Sequence, residues 1–372
     1  MNFSILKDLN QVRQYENRWR SAIKNQGICC PFAGYDWITE YCKQILSSRN
    51  IFIGIYNEQD KFVMLPFYFE NGEISLIGDR FFDYKDAIAQ SNDIPDIASF
   101  LVNTKAHTIR LSNLREDALL YSLTKFNKDN NFLIIEKDLF NSPYLKIEGN
   151  NWEGYYNNLS RNSRDIIKRR IKKLASLGQV SFGYCKNRRE LDEVINIMYE
   201  QHIKRRESLG QNKSLFLNSR NRIFFNTVCE KLFLDSNLYM FYLKLDEKII
   251  ATAFCFLGND VLYYYIPTFD CGYKDCSPGR ILLFNIIKFS FDSEFREFDF
   301  MIGEEDYKLH WNAELRKIRE VVLFRRNLKG TISLVATSVF FAWEAILRLL
   351  GKTKLRTIKR TTLRIFYKTS KK

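Results

Sequence analysis

The sequence predicts an α/β (α+β) protein of two fused units, each a mixed, mainly antiparallel sheet flanked by helices. Three observations predict it. Apolar residues at helical spacing alternate with short runs of strand character. Two connections, Asp246-Glu247 and Gly258-Asn259-Asp260, have hairpin length between strand runs. The same coarse order of helices, an antiparallel meander, a helix and further strands occurs in each half, with no residue-level repeat.

In the first half, helical patterns occupy Val12–Ile23 and Trp37–Leu46. Ile51–Tyr56 and Lys61–Phe69 alternate as strands around the turn Asn57-Glu58-Gln59-Asp60, and Glu73–Ile77 reads as a third strand. A polar and aromatic loop follows, Gly78 to Tyr84. A helix, the strand Thr108–Leu111, the helix Glu116–Phe126 and the strand Phe132–Glu136 come next, with Pro143 and Gly149 as punctuation. In the second half, Trp152–Leu177 reads as a helix with Ser160 as a plausible N-cap and Gly178 as its stop. One face carries Ile166, Ile167, Ile171, Leu174 and Leu177, the other Arg161, Arg164, Lys168, Arg169, Arg170, Lys172 and Lys173. Strand Val180–Cys185, helices Leu191–Arg206 and Phe216–Leu234, and strands Tyr239–Leu245, Lys248–Leu257 and Val261–Thr268 follow. A helix from Ser277-Pro278-Gly279-Arg280, a buried strand Glu297–Met301 and a last strand Val321–Arg325 complete this half. The expected division is 1–150, 151–328 and 329–372, the last an apolar or amphipathic helix with a basic tail.

With 46% hydrophobic and 15% aromatic residues, the chain can bury a sizeable core, which excludes intrinsic disorder. Its formal charge of +14 points to an anionic partner. The nine Lys and Arg from Lys352 to Lys372 meet no acid, so residues 1–350 carry only about +5 of that total. Eight cysteines without a C-x-x-C pair, most beside apolar residues, read as buried free thiols. The N-terminus lacks the pattern of a secretory signal, so a cytoplasmic location is expected, with reduced cysteines. Thr331–Leu350 is apolar except for Glu344 and Arg348. Those charges weigh against insertion across a bilayer and favour a helix docked on the protein or peripheral on an anionic membrane surface through residues 331–372, with a span as the remaining alternative.

The richest segment for chemistry runs from Ser277 to Trp311. A strand, a Gly-containing loop and a helix N-terminus form an anion site, because free backbone N–H groups and the helix dipole both favour phosphate. Asp299 falls in the apolar strand FDFM, where a charge needs a partner or a role. Glu304 and Glu305 follow Gly303 as candidate bases. Asp83 and Tyr84 sit in the first unit's loop and could meet the second unit at a shared cleft. Arg164 and Lys168, one turn apart, could clamp an anion. With three histidines in all, a histidine-based metal site is not expected. No G-x-S-x-G, Walker loop or H-E-x-x-H occurs, so serine hydrolase, P-loop NTPase and zincin readings lack support.

Taken together, PFAGYDW (Pro31–Trp37), FDYKD (Phe82–Asp86), SPYL (Ser142–Leu145), LSRNSRDIIKRRIKKLASLG (Leu159–Gly178), HIKRRESLG (His202–Gly210), YYYIPTFD (Tyr263–Asp270), SPGRILL (Ser277–Leu283) and FDFMIGEEDYKLHW (Phe298–Trp311) carry a resemblance. Between about Trp19 and Arg325 the chain resembles the CelD/BcsL-like acetyltransferases of bacterial polysaccharide biosynthesis. These are two-unit members of the GNAT superfamily, distantly similar to FemAB-type aminoacyltransferases. The resemblance implies two GNAT-like units and transfer of an acetyl or similar acyl group from acetyl-CoA, as co-substrate and without a metal. The implied acceptor is an amine or hydroxyl, such as a sugar in envelope or exopolysaccharide synthesis.

In that family a splayed strand holds pantetheine and a following turn holds the pyrophosphate. The corresponding residues here are Tyr265 and Ile266 in the strand, and Ser277, Gly279 and Arg280 in the turn. The short Ser-Pro-Gly-Arg replaces the longer Gly-rich loop usual in GNAT proteins, so charged tRNA stays open as the donor. Nucleic acid is a partner only on that alternative; a non-catalytic membrane- or partner-binding protein is the other. The implied catalytic residues are Asp299, Tyr307 as acid for the leaving thiolate, and Glu305. On the substrate side stand Asp83, Tyr84, Arg164, Lys168, His202, Lys308 and Trp311.

Overall fold

The strand runs of both halves join one sheet in the computed structural model, which describes residues 1–25, 30–46, 50–58, 61–78, 81–125, 131–210 and 213–349. The basic tail from Gly351, Leu350, Phe126, residues 59–60 of the first hairpin and residues 79–80 of the loop before Phe81 lie outside the described residues.

In the first half β1 (Ser4–Leu6) is followed by α1 (Leu9–Arg13), α2 (Glu16–Asn25) and α3 (Tyr35–Gln44). β2 (Ile51–Glu58), β3 (Lys61–Glu70) and β4 (Glu73–Leu76) form the meander, and α4 (Ile94–Asn103) crosses over to β5 (Thr108–Arg115), parallel to β4. Leu119–Lys125 is a 3-10 turn where an α-helix was expected. The half ends with β6 (Phe132–Lys146). In the second half the expected long helix is two, α5 (Trp152–Asn158) and α6 (Arg161–Ala175), because Leu159 is extended. Ser160 caps α6, its hydroxyl accepting from the Ser163 N–H at 3.1 Å. β7 (Val180–Tyr184), α7 (Arg188–Ser208), α8 (Ser219–Leu234), β8 (Leu238–Leu245), β9 (Lys248–Gly258) and β10 (Val261–Phe269) follow. α9 (Pro278–Asp292) crosses to β11 (Glu297–Asp299), parallel to β10. α10 (Asp306–Leu309), β12 (Glu314–Arg325) and α11 (Leu328–Leu349) close the chain.

The twelve strands run in the order β1-β2-β3-β4-β5-β12-β6-β11-β10-β9-β8-β7. Read from either edge, five strands of one half come in sequence, and the sixth position is filled by the last strand of the other half. The halves are thus joined by a mutual exchange of terminal strands, β6 and β12, which pair antiparallel from Tyr144↔Glu314 to Phe132↔Arg325. Both strands are longer than their apolar runs. Pro143, read as punctuation, lies inside β6. Their polar ends are matched by charge: Lys317 Nζ lies 3.0 Å from Asp138 Oδ2, and Arg319 lies 3.3 Å from Asp138 and 3.7 Å from Glu136. Cross-strand opposite charges stabilise a ladder that low strand propensity would not.

Helices cover both faces. Trp19, Trp37, Val194, Met198 and Phe224 pack with Ile53, Met240 and Phe254 in one core. Ile167, Leu174, Ile281, Leu282 and Ile286 pack with Leu243, Leu262 and Phe298 in a second. Ile97 and Leu101 of α4 pack with Leu111 and Val321 in a third. The described cysteines are free, and all but Cys271 are buried.

At the exchange, Asp299 has no exposed surface. Its Oδ1 accepts from the Tyr84 hydroxyl at 2.7 Å, the Ser142 hydroxyl at 3.3 Å and the Met301 N–H at 2.7 Å. Its Oδ2 lies 3.4 Å from Arg316 and 4.0 Å from Arg115. Arg316 also forks onto Glu297 at 3.1 and 2.9 Å, and Arg115 onto Asp117 at 2.8 and 2.6 Å. One carboxylate therefore ties β5, β6, β11, β12 and the Tyr84 loop together. Removing one partner of a buried ion cluster leaves uncompensated charge. Asp299→Ala should lower unfolding free energy by about 3–5 kcal/mol in urea titration. Tyr84→Phe should cost only about 1–2 kcal/mol, one hydrogen bond. An Asp299→Ala cost no larger than that of Tyr84→Phe would remove the carboxylate from this role.

Candidate active site between the two halves

β10 and β11 diverge. β11 pairs only through Val261↔Glu297 to Tyr263↔Asp299, whereas β10 stays paired with β9 as far as Phe269↔Ala251. A bulge between Tyr264 and Ile266 interrupts that second ladder. From Tyr264 onward one edge of β10 has no strand partner among the described residues. On that stretch the Pro267 carbonyl accepts from Arg205 Nη1 at 3.3 Å, and the Arg205 guanidinium lies over Phe269, 4.7 Å from the ring centre.

α9 starts beside this open edge. Ser277 is left-handed, φ 53°, and Pro278 is the first helical residue. No side chain caps the helix; Pro278 has no N–H, and those of Arg280 and Ile281 donate to the Ser277 carbonyl at 3.0 and 3.3 Å, so the positive end of the helix dipole is met by no acid among the described residues. Arg280 is partly buried, and burial together with the nearby Arg170 pushes its guanidinium below the usual arginine range. Arg170 donates to the Asp275 carbonyl at 2.5 Å. Among the described residues neither arginine has a carboxylate partner. The corresponding helix of the first half, α4, begins instead at Asp93, whose buried carboxylate pairs with Lys61.

Across the cleft lies the loop of the first half. The Tyr265 hydroxyl donates to the Phe81 carbonyl, and Asn113 Nδ2 donates to the Phe82 carbonyl at 2.9 Å. Asp83 between them accepts from the Ile302 N–H at 3.3 Å. Burial pushes the Asp83 carboxyl up to about 7; Lys308 opposes this, while Asp299 and Glu305 add to it. Lys308 is buried, donates to the Met301 and Ile302 carbonyls at 3.4 and 3.2 Å, and pairs with Glu305 at 2.9 Å. Tyr307 is partly exposed, and burial with Glu305 beside it holds its phenol well above the usual range. The backbone here is forced. Met301 is left-handed at φ 64°, its N–H taken by Asp299, and Gly303 has φ 120°.

The structure brings Asp83, Tyr265, Glu305, Tyr307 and the buried Lys308 into one neighbourhood, with Ile266 beside Tyr265 on β10 and Ser277, Gly279 and Arg280 at the start of α9. Other residues expected at the site lie elsewhere. Asp299, Tyr84 and Trp311 are almost wholly buried and present no surface to a ligand as folded. Arg164 donates to the Asn157 carbonyl at 2.6 Å and Lys168 is exposed, so they do not converge as a clamp. Arg170 of the same helix lies near Arg280 of α9. His202 Nδ1 lies 2.8 Å from the Ser214 hydroxyl and the ring packs on Phe216. Sequence reasoning did not single out Arg205, although it stands in the same HIKRRESLG segment as His202.

The fold is GNAT-like. Residues 161–309 match the family model described as an acetyltransferase (GNAT) domain. The chain also resembles FemX, with TM-score 0.58 and 11% identity over 82% of this chain and 95% of that one. It resembles the C-terminal domain of a putative lysylphosphatidylglycerol synthetase from Agrobacterium fabrum, with TM-score 0.54 and 9% identity over 88% and 96%. L-PGS from Bacillus licheniformis aligns with TM-score 0.50 and 8% identity over 77% and 88%. At such identities the likeness is one of fold. No curated protein matches the sequence. The family model names the GNAT domain and not the narrower polysaccharide-biosynthesis family that the motifs resemble. Among the described residues no group of His, Cys, Asp and Glu could hold a metal ion.

Burial, with Arg206 and Arg205 adding, holds His202 down at about 4. Its folded value lies below its unfolded one, so this contribution to stability is present above about 6.5 and is lost as pH falls through about 4. NMR titration should show His202 neutral down to about pH 5 and protonating near 4. A midpoint near 6.5 would mean that the ring is exposed.

Proposed function

We propose that the chain transfers an acyl group from acyl-CoA to an amine or hydroxyl acceptor bound between the halves. The observation that carries this is the unpaired edge of β10 from Tyr264 to Phe269, which leads to the uncapped start of α9 flanked by Arg170 and Arg280. The backbone edge suits the amides of pantetheine, and the helix start with two unneutralised arginines suits a pyrophosphate. Acetyl-CoA would supply the acyl group as a thioester. The matched GNAT domain supports this donor.

Asp83 is placed as the general base. Its carboxyl, held up at about 7, is half-deprotonated near neutrality, where a base is most effective. It takes the acceptor proton as the nitrogen or oxygen bonds to the acyl carbon. The thiolate leaves with a proton from Tyr307, whose raised pKa keeps it protonated for that step. Lys308 holds Asp83 and Glu305 in register, and Asp299 fixes the turn that carries them. In this reading residues 1–150 supply the acceptor side and residues 151–328 the donor side. A sugar of the cell envelope or an exopolysaccharide is the proposed acceptor, on the motif resemblance.

A second reading, aminoacyl-tRNA as donor, is favoured by the row of basic residues on α6, which packs against α9. FemX and the two synthetase-related structures share its fold. Binding separates the two donors. Acetyl-CoA should bind the protein saturably in calorimetry, and Arg280→Ala should weaken it about 10- to 100-fold, the worth of one charged hydrogen bond. Tight, salt-sensitive binding of charged tRNA without binding of CoA would replace the first reading with the second. With acceptor amines in hand, kcat/KM should rise with pH through about 7, and Asp83→Asn should remove that limb while leaving CoA affinity within twofold. A limb that survives in Asp83→Asn would place the base elsewhere.

A further inference from the structure

α11 is held by one face only. Glu344, 3% exposed, pairs with Lys137, whose ammonium also lies 4.1 Å from the Phe341 ring centre. Ser333 Oγ lies 3.4 Å from His107 Nδ1. Gly330 fits so close to the Arg325 carbonyl that a Cβ would stand 2.0 Å from its oxygen, which fixes the helix where it leaves β12. The opposite face is apolar and open: Leu328 is 78% exposed, Ile332 57%, Val335 57%, Val339 51% and Trp343 48%. At 100° per residue these five fall within an arc of roughly 80°. The sequence has no other charge than Glu344 between Lys329 and Arg348, and Glu344 points into the protein. No helix among the described residues is long and apolar enough to cross a membrane.

We infer that the open face of α11 lies on an anionic lipid surface, with the basic tail that follows it as the electrostatic partner. The helix has the composition of one that lies in the plane of an interface: an apolar stripe, an aromatic Trp343 near its end and no exposed charge along the stripe. The occupant is chosen by charge. Residues 351–372 carry nine Lys and Arg and no Asp or Glu. A second copy pairing through the same stripe would cover it without neutralising these charges, whereas an anionic bilayer does both. The inference does not depend on the transferase reading.

The test is flotation of the full-length protein with vesicles of 30% phosphatidylserine in phosphatidylcholine and with pure phosphatidylcholine. Binding to the anionic vesicles should be at least tenfold stronger and should fall in 0.5 M salt. The exposed-face variant Val335→Glu/Val339→Glu, which touches no core residue, should lose binding at least tenfold with unchanged circular dichroism. Lys352→Glu/Lys354→Glu/Arg356→Glu should weaken it as well. The inference is overturned by absent binding to anionic vesicles, or by binding that the Val335→Glu/Val339→Glu change leaves intact. It is overturned also by a dimer in analytical ultracentrifugation that the same change dissolves, since the stripe would then belong to a second copy.

Discussion

The Asp299 carboxylate is the constraint on which the site depends. It is a single acid in an otherwise apolar strand, and burying it is unfavourable unless each oxygen is satisfied. The partners that satisfy it come from Tyr84 of the first-half loop, Ser142 of β6, Arg316 of β12 and the Met301 amide. Three consequences follow from one group. The exchanged strands are held to β11, the first-half loop is drawn to the second half, and Met301 is kept in a left-handed turn. That turn directs the chain into Gly303 and α10, and so places Glu305, Tyr307 and Lys308 opposite Asp83.

The palindromic strand order makes the two halves comparable element by element, and the differences locate the chemistry. In the first half β4 stops after four residues, and α4 follows Asp93, whose carboxylate accepts from the Gln90 N–H and pairs with Lys61. In the second half β10 runs nine residues, six of them beyond its partner β11, and α9 starts without a cap. Neither helix start carries a side-chain cap, but α4 begins beside the buried carboxylate of Asp93, which disfavours an anion, whereas α9 begins near Arg170 and Arg280, which favour one. The architecture is shared, but among the described residues β10 runs on past its partner strand where β4 does not.

Most elements were legible in the sequence because their apolar periodicity matches their burial, as in β2, β3, β8, β9, β10 and α7. The failures share a cause. β6 and β12 were seen only at their apolar ends, since Asp138, Lys317 and Arg319 read as surface polarity until they are paired across the ladder. The break at Leu159 and the 3-10 turn at Leu119–Lys125 are likewise set by packing and not by propensity. For the site, the Ser277–Lys308 segment and the Asp83 loop were visible as clusters of chemical groups. Which of those groups face a ligand was not. Asp299 and Asp83 are both acids beside aromatic residues, and only the fold shows that the first is sealed by arginines while the second keeps an open side.

The charge balance of the cleft also divides in space. At the start of α9 two guanidiniums lie without acid, a positive end suited to a multiply charged donor. At Asp83 burial makes the carboxyl bind its proton more tightly than an isolated acid, against the pull of the Lys308 ammonium that is paired with Glu305. Neither condition is a property of a residue alone. Moving Lys308 out of reach would raise Asp83 further, and adding an acid at α9 would cancel its pull on phosphate. The bulged strand β10 lies between them, with the Tyr265 hydroxyl donating to the Phe81 carbonyl, so one strand links the two ends. A transfer reaction needs that link, since proximity of donor and acceptor supplies much of what a group-transfer enzyme must contribute.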